Sequence, residues 1–364
     1  MNHYRMPAKT IVFIHLLNNF SGSPKVLAML IRGLLPKKYS LRVITSKGPG
    51  FLDGFPWVRY IRNGYQFRSS KFLTLFYWIR TQIWTFFLVL GMPRRNTVYY
   101  VNTIMPIGAV WACFLSRKRM IYHIHENMQQ RKTLYGICRL TYRICNRESV
   151  FVSHYLESTA IRCRKGKVIY NALDAEFCNQ AAAFLKNNPK PSRQTILMVA
   201  SLKRYKGVYE FIEIARRMPE FPFVLVVSAS TSEVDAFIRE THPSNNIRIW
   251  PLQTNLHPFY QKACLVLQLS HPNHWIETFG LTILEAMTYG IPVIGPNAGG
   301  PLELIENGVT GFCVDPLNLN MIVAHIQKLM TDPETYQAYV AAAVAAAHKF
   351  NINMMVKQIN SLLN

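Results

Sequence analysis

Short apolar runs alternate with longer amphipathic stretches along the whole chain. The apolar runs are rich in Val, Ile and Leu and lack strict alternation, which is typical of strands buried on both faces of a parallel sheet. This pattern predicts strands at Thr10–Leu16, Ser40–Thr45, Thr97–Val101, Met120–His123, Ser149–Ser153, Thr195–Val199, Phe223–Val227, Ile247–Pro251, Leu265–Leu269, Pro292–Ile294 and Gly311–Val314. Repeated strand–helix alternation predicts an α/β protein with Rossmann-like, doubly wound parallel sheets.

The chain of 364 residues is longer than one typical domain and predicts two. We place the first domain at residues 1–174, a linker at 175–193 and the second domain at 194–349. The linker prediction depends on Asn188–Arg193, which is polar and carries two prolines. A terminal helix at 350–364 is expected to return to the first domain. Because ligands collect at the carboxyl ends of parallel strands, the active site is expected in a central cleft that both domains face.

The charge of the chain is concentrated in its first half. Residues 1–180 hold 27 Lys and Arg against 6 Asp and Glu, or +21, whereas residues 181–364 hold 14 against 13, or +1. Such an asymmetry favours an anionic partner, which is a lipid surface, a pyrophosphate-linked lipid or a nucleic acid. No helix-turn-helix signature, zinc spacing or RNP-like aromatic run supports the nucleic acid, so we expect an anionic membrane surface.

Two apolar segments raise the question of membrane insertion. The first, at Thr10–Leu16, is followed by polar residues without a small-residue cleavage pattern, and we interpret it as a buried strand rather than a secretory signal. The second, Phe72–Leu90, has Arg80, Thr81 and Gln82 at its centre, where they are costly in lipid. It is expected to form a mostly buried or interfacial helix, and least of all a spanning one.

The seven cysteines form no CxxC pair and no cluster with His at metal-ligand spacing. They are interpreted as buried thiols of a cytosolic protein. The sequence also has no Asp-x-Asp pair suited to a nucleotide-bound metal, and no GxSxG, HExxH or Gly-Lys-Ser/Thr phosphate loop. These absences weaken hydrolase and nucleotidase functions.

The segment from His271 to Pro316 carries the most specific pattern. Glu277 and Glu285 are eight residues apart, and Gly280 lies where a loop should turn into a helix over Leu281–Tyr289. A helix N-terminus offers unpaired N–H groups and a positive dipole end, which suit a diphosphate. Backbone donors are expected from Phe279, Gly280, Leu281 and Thr282. Of the two carboxylates, one can hold sugar hydroxyls and the other can accept hydrogen bonds from a ribose.

This segment resembles the E-x7-E region of the GT-B glycosyltransferases of family 4, the "glycosyl transferases group 1" superfamily. The resemblance extends over much of the chain. Its other elements are Phe20–Ser23, like the family's glycine loop, the strand ends Val101–Thr103 and Ile121–Glu126, the Val168–Asp174 element that closes the first domain, and Ser201–Gly207, like G-R-L-x-x-x-K-G.

The resemblance implies a retaining transferase that needs no metal and no other cofactor. By this resemblance Lys206 stabilises the departing phosphates, Glu277 contacts the transferred sugar and Glu285 contacts the donor ribose. Gly22 faces the phosphates, and His125 lies near the reacting centre of the sugar. His123 is expected to be a core histidine, and Glu126 stays unassigned.

One element departs from the family pattern. Ser201 stands where the family commonly has Arg, while Ala200 and Ala172 stand where it commonly has Gly. A missing Arg removes one positive charge from the donor site, where Ser201 is still expected to bind. Lys203 or Arg204 could replace it by reaching round the loop.

The resulting hypothesis is a peripheral enzyme on the cytoplasmic face of the plasma membrane. It takes a UDP- or GDP-sugar and extends a glycan or polyprenyl-diphosphate-linked acceptor in O-antigen, capsule or related polysaccharide synthesis. The alternatives are a non-catalytic or differently specialised GT-B protein, such as an epimerase or phosphorylase-like enzyme, and a basic nucleic-acid-binding protein.

Overall fold

A computed structural model describes residues 9–34, 38–68, 70–129, 133–160, 165–188 and 194–364. They form two compact units. The first comprises Met1–Asn171 with Ile352–Asn364, and the second comprises Ala172–Asn351. Each unit contains one sheet in which every pairing of neighbouring strands is parallel. The prediction of Rossmann-like, parallel α/β architecture is confirmed.

The first unit has a seven-stranded sheet with helices along the chain between its strands. Its strands are β1 (Lys9–Ile14), β2 (Tyr39–Ser46), β3 (Val58–Asn63), β4 (Thr97–Asn102), β5 (Arg119–Ile124), β6 (Ser149–Phe151) and β7 (Gly166–Val168). Its helices are α1 (Gly22–Gly33), α2 (Lys71–Leu90), α3 (Ile107–Leu115), α4 (Thr133–Cys145) and α5 (His154–Thr159). The strand order is β3-β2-β1-β4-β5-β6-β7. The order reverses direction at β1 and β4, the arrangement that places ligands at the carboxyl ends of these strands.

The second unit has a six-stranded sheet. Its helices and strands are α6 (Ala175–Asn187), β8 (Thr195–Ala200), a 3-10 turn (Arg204–Lys206), α7 (Val208–Arg217), β9 (Phe223–Val227), α8 (Thr231–Thr241), β10 (Ile247–Trp250), α9 (His257–Lys262), β11 (Ala263–Leu267), α10 (Leu281–Thr288), β12 (Val293–Pro296), α11 (Pro301–Leu304), β13 (Gly311–Val314), α12 (Leu319–Thr331) and α13 (Pro333–Ala347). The strand order is β10-β9-β8-β11-β12-β13, with its reversal at β8 and β11. A continuous core of buried side chains from the strands and α7, α8 and α12 holds this unit together.

The segment 175–193, expected to be a linker, begins with helix α6, and that expectation was wrong for residues 175–187. The side chain of Asp174 accepts a hydrogen bond from the N–H of Phe177 and caps the helix. The Phe177 ring packs against His257, Tyr260 and Tyr289, so α6 belongs to the second unit. Of the proline-bearing stretch, residues 189–193 lie outside the described residues.

The last helix, α14 (Ile352–Leu363), belongs to the first unit. The hydroxyl of Tyr39 donates to Asn360 Oδ1 (2.6 Å), and Lys9 Nζ donates to the carbonyl oxygen of Asn364 (2.8 Å). Gly33 of α1 lies against Val356, leaving no room for a side chain there. The C-terminus of the chain is therefore attached to α1, β1 and β2.

Candidate functional site

The N-terminus of α10 is set up by Gly280. This residue has φ +107°, a backbone conformation that favours glycine, and it lets the chain turn directly into the helix. The N–H groups of Leu281 and Thr282 then lie in the first turn, where helical residues have no intrahelical partner. The ring of Phe279 is buried and packs edge-on against Phe350, so only its backbone is suited to a ligand. The helix thus begins at the position expected from the sequence, and phosphate binding at this end stays a prediction.

Glu277 and Lys206 form an ion pair beside this helix. Lys206 Nζ lies 2.7 Å from Glu277 Oε2, and the two side chains are 18% and 20% exposed. Gln268, which follows β11, donates from Nε2 to the same carboxylate oxygen (3.2 Å). Lys206 ends the 3-10 turn, and Gly207 at φ +80° turns the chain into α7. The structure therefore brings together Lys206 and Glu277, which lie 71 residues apart in the sequence.

Two aromatic rings lie next to this pair. Tyr205 and Trp275 stack with their ring centres 5.5 Å apart, and Lys206 Nζ lies 5.9 Å from the centre of the Trp275 ring. Arg204 lies over the ring of Tyr209. This position of Arg204 does not support the idea that Arg204 replaces the arginine that the family has at the position of Ser201. The carbonyl oxygen of Ser201 accepts a hydrogen bond from the N–H of Lys203 (2.7 Å).

Lys203 contributes a minor part of the lowering of the Glu233 pKa, which hydrogen bonds from Ser230 mainly cause. Among the described residues, Lys206 is the cation that the structure pairs with a carboxylate of the site.

The loop that carries Glu277 is held by Gly299 and Gly300. The N–H of Gly300 donates to the carbonyl oxygen of Glu277 (2.9 Å). A side-chain carbon at Gly300 would lie 2.5 Å from the Cα of Phe279 and would overlap the carbonyl oxygen of Thr278, while one at Gly299 would overlap that of Glu277. Only glycine allows this close approach of two backbone segments. The Gly-Gly pair thus positions the carboxylate and the start of α10.

Glu285 lies within α10 and is 2% exposed. Its Oε2 accepts a hydrogen bond from the hydroxyl of Tyr260 (2.6 Å), and the Tyr260 ring stacks on Tyr289. Burial, with the nearby carboxylate, raises the pKa of Tyr260 well above its ordinary value, so this hydroxyl stays protonated and donates. The carboxylate is thereby fixed in one orientation, as a group that recognises a ligand hydroxyl requires.

In the first unit, His125 belongs to a hydrogen-bonded chain at the carboxyl ends of β1, β4 and β5. Asn102 joins its members: its Oδ1 lies 2.9 Å from His125 Nε2, and its Nδ2 lies 3.0 Å from His15 Nδ1 and 3.2 Å from the carbonyl oxygen of Ser23. Since a carbonyl only accepts, the contact with Ser23 assigns the Asn102 amide orientation. His125 Nε2 therefore donates to Asn102. Gly22, the first residue of α1, lies next to Ser23 and so at the same end of the sheet.

The groups around His125 have shifted pKa values. Burial lowers the pKa of His15 to about 4 and of His123 to about 3, and burial together with these two rings lowers that of His125 well below its usual range. Burial also raises the pKa of Glu126 to about 7. His123 is 1% exposed and hydrogen-bonded to the hydroxyl of Tyr100, as expected of a core histidine. His125 is thus a neutral imidazole at neutral pH, with its proton on Nε2.

Sequence reasoning gave no role to three residues that shape these sites, namely Asn102, which lies in the noted strand end Val101–Thr103, and Gln268 and Tyr260. Asn102 ends β4 and Gln268 directly follows β11, and both strands flank a reversal of strand order. A polar residue at the carboxyl end of a buried strand, next to a reversal of strand order, indicates a ligand-binding position and could have been found from the sequence. For Tyr260 the sequence offers none, because its contact with Glu285 depends on how α9 packs against α10.

Comparison with known proteins finds similarity in part of the sequence and in the fold. Residues 179–345 match the sequence profile of the family described as "Glycosyl transferases group 1". A D-inositol 3-phosphate glycosyltransferase of Segniliparus rotundus is 29% identical over 184 residues, covering 48% of this chain and 40% of the relative. A sucrose synthase of Melioribacter roseus is 52% identical over 56 residues, covering 15% of this chain and 7% of the relative. This chain thus matches less than half the length of these two relatives.

Similarity of fold extends over nearly the whole chain. The crystal structure of Anabaena HepE in complex with UDP and glucose has a TM-score of 0.76 and 20% sequence identity, and the match covers 97% of this chain and 98% of that one. The expected fold class is confirmed. Residues 179–345 therefore resemble the glycosyl transferases group 1 family in sequence, and the chain has the GT-B fold.

Proposed function

We propose that this protein is a glycosyltransferase that uses a nucleotide diphosphate sugar as donor. The observation that carries this proposal is the Lys206–Glu277 pair beside the N-terminus of α10, inside the family-matched region. A cation and a helix N-terminus suit a diphosphate, and a neighbouring carboxylate suits sugar hydroxyls. Buried Glu285 is suited to the ribose. The HepE complex with UDP and glucose supports a UDP-sugar as donor, with a GDP-sugar as the other option.

In the proposed reaction, the bond between the anomeric carbon of the donor and the phosphate oxygen breaks. The nucleoside diphosphate leaves with the bonding electrons, and an acceptor hydroxyl forms the new bond to the same carbon and releases its proton to the departing phosphate. Lys206 and the N–H groups of Leu281 and Thr282 stabilise the negative charge that develops on the leaving group. The family resemblance assigns His125 to the sugar, and as a neutral imidazole it adds no positive charge to a developing oxocarbenium ion.

Transfer proceeds with retention of the anomeric configuration and without a bound metal. Retention is what the family resemblance implies. The proposal of metal independence is supported by the charges already present, since Lys206 and the α10 dipole occupy the role that a metal ion has in other nucleotide-sugar enzymes.

The acceptor is a glycan or a polyprenyl-diphosphate-linked sugar at the cytoplasmic face of the plasma membrane. Support comes from the charge distribution, +21 over residues 1–180 against +1 over residues 181–364. A field of that sign attracts both anionic lipids and a pyrophosphate at their surface. Synthesis of an envelope polysaccharide such as O-antigen or capsule is the process that fits this acceptor.

Donor binding tests the proposal directly. Thermal unfolding is measured with UDP, GDP, ADP and dTDP and their common sugars, for wild type, Glu285→Ala and the exposed-site control Glu220→Ala. A ligand at about 100 times its Kd stabilises the protein by about 2.7 kcal/mol. We expect one nucleotide to stabilise the wild type and Glu220→Ala but not Glu285→Ala. Absence of any stabilisation, or equal stabilisation of all three proteins, would contradict the proposal.

A further inference from the structure

Helix α2 carries its large apolar side chains on the face that is turned to solvent. The most exposed are Phe72 (77%), Phe87 (64%), Ile83 (56%), Phe76 (54%) and Ile79 (46%). Their spacing of three or four residues aligns them along one side of a helix about 30 Å long. A surface helix of a globular protein normally has its apolar side chains turned inward. An exposed apolar stripe of this size marks a surface that another body covers.

The opposite face of α2 is fixed to the protein and carries both polar and apolar side chains. Its buried residues are Trp78, Thr81, Gln82, Thr85 and Val89. The N–H of Gly108 in α3 donates to Gln82 Oε1 (2.9 Å). A side-chain carbon at Gly108 would overlap the carbonyl oxygen of Gln82, so the two helices touch through their backbones. Lys118 Nζ donates to two carbonyl oxygens at the C-terminal end of α2 (2.6 and 2.8 Å).

The contacts of α2 with Gly108 and Lys118 favour a helix that lies on a membrane over a helix that crosses it. By length and composition, α2 is the single helix among the described residues that could span a bilayer, with a mean hydropathy of 1.3. To span a bilayer, α2 would have to separate from α3. The side chains of Thr81, Gln82 and Thr85 would then face lipid, where unsatisfied polar groups are costly. Held on α3, the helix can present only its outward stripe.

Helix α4 carries a second exposed apolar stripe. Ile137, Leu140 and Ile144 are 46 to 56% exposed and lie on one side of the helix. α3 packs against both α2 and α4, and Trp111 of α3 donates from Nε1 to Thr141 Oγ1 of α4 (3.2 Å). The three helices therefore form one packed layer, in which α2 and α4 each carry an exposed apolar stripe.

The charges around this layer have one sign. Residues 68–147 contain 13 Lys and Arg and a single acidic residue, Glu126, whose pKa is raised to about 7. Exposed basic side chains lie on and beside the apolar stripes, among them Arg80 on α2 and Arg139 and Arg143 on α4. A second copy of the chain would bring like charges face to face, which is unfavourable. The partner has to be both apolar and anionic, and a bilayer with anionic headgroups has these two properties.

We infer that the outward faces of α2 and α4, here named the lipid-facing surface, dock on an anionic bilayer with α2 lying in the membrane plane. The aromatic and aliphatic side chains enter the boundary between headgroups and acyl chains, and the arginines contact lipid phosphates. This inference names the surface that brings the first unit to a membrane-bound acceptor. It rests on the proposed function, because an acceptor in the membrane is what makes such docking useful.

The test measures partition of the full chain onto vesicles of phosphatidylcholine, alone or mixed with phosphatidylglycerol, by flotation at low and high salt. The variants are Phe76→Ser/Phe87→Ser for the apolar stripe and Arg139→Gln/Arg143→Gln for the charge. The matched control is Val309→Ser/Leu317→Ser, two exposed apolar residues of the second unit. Donor-nucleotide stabilisation is recorded for every protein, because Lys206, the start of α10 and Glu285 lie in the second unit and are not changed in these variants.

We expect the wild type to bind the mixed vesicles more tightly at low salt, and the phenylalanine variant to lose about tenfold or more in partition coefficient. The arginine variant should lose affinity for the mixed vesicles alone, and the control should match the wild type. Equal partition of the phenylalanine variant and the wild type would overturn the inference. A wild-type protein that is dimeric, together with a phenylalanine variant that is monomeric, would also overturn it, because a second copy of the chain would then cover this surface. Lipid binding without nucleotide stabilisation would refute the proposed function instead, since the two readouts are separate.

Discussion

Substituting Gly300 by Ala tests whether backbone contact between two loops positions the donor site. Gly300 has φ −60° and ψ −32°, a conformation that alanine adopts without strain. Any effect must therefore come from the added methyl group, which would lie 2.5 Å from the Cα of Phe279 and overlap the carbonyl oxygen of Thr278. Because backbone cannot move aside as a flexible side chain does, the loop that carries Glu277 must shift.

Overpacking of this kind costs about 1 to 3 kcal/mol of unfolding free energy. For a unit of this size that lowers Tm by roughly 2 to 12 °C. Gly136→Ala is the matched control, since Gly136 lies in α4 with no heavy atom within 4 Å of a new methyl group. There the same substitution should stabilise by about 0.4 to 1 kcal/mol, because alanine restricts the unfolded chain.

Scanning fluorimetry with and without the donor nucleotide provides the assay. We expect Gly300→Ala to unfold at lower temperature and to lose most of the nucleotide-induced stabilisation, while Gly136→Ala keeps that stabilisation in full. A Gly300→Ala protein with wild-type Tm and wild-type nucleotide response would refute the steric argument.

Three further predictions address individual side chains. Lys206→Met should lower kcat by about 10²- to 10³-fold, because the variant loses a group that stabilises developing charge, and Lys206→Arg should keep part of the wild-type kcat. Steady-state kinetics in which Lys206→Met changes KM alone would contradict this role of Lys206. Asn102→Asp places a carboxylate beside His125 Nε2 and should raise the pKa of His125. Turnover of this variant should therefore fall as the pH is lowered from 8 to 6, a range over which turnover of the wild type stays constant. A variant with the pH–rate profile of the wild type would exclude a positioning role of Asn102. Because the folded-state pKa of Glu126 is raised to about 7 from 4.5, the folded protein binds more protons than the unfolded chain, and this group lowers stability as pH rises from about 4.5 to 7. Glu126→Gln should remove that slope, a change of at most about 3 kcal/mol, and denaturant titrations giving parallel pH dependences for both proteins would refute the assignment.

Much of the fold follows from hydrophobic patterning, because strands buried on both faces leave continuous apolar runs. β3 was not predicted, since Arg59, Arg62 and Asn63 interrupt its apolar residues. β7 is only three residues long and has a single apolar side chain. In both cases pairing with an already formed neighbouring strand decides the structure, and local sequence does not record it.

The orientation of α2 could not be predicted either. Its sequence is apolar on most sides, so composition favours burial. The structure instead buries Thr81, Gln82 and Thr85 together with Trp78 and Val89, and it exposes Phe72, Phe76 and Phe87. The deciding contact is Gly108 against the backbone of Gln82, a tertiary feature.

For the candidate site, the spacing of Glu277 and Glu285 about Gly280 and the helix start indicates these two carboxylates, whereas Lys206 is indicated by the family resemblance. Their partners Gln268 and Tyr260 come from separate elements, and only packing brings them together. The roles given to these residues stay predictions until donor chemistry is measured.

The measurement that tests the central claim most directly is release of nucleoside diphosphate from a panel of UDP-, GDP-, ADP- and dTDP-sugars, with NMR assignment of the product anomer. We expect one donor to be turned over with retention, at an unchanged rate in EDTA, and Lys206→Met to be slowed by about 10²-fold or more. No release from any donor, or release that EDTA abolishes, would contradict the account.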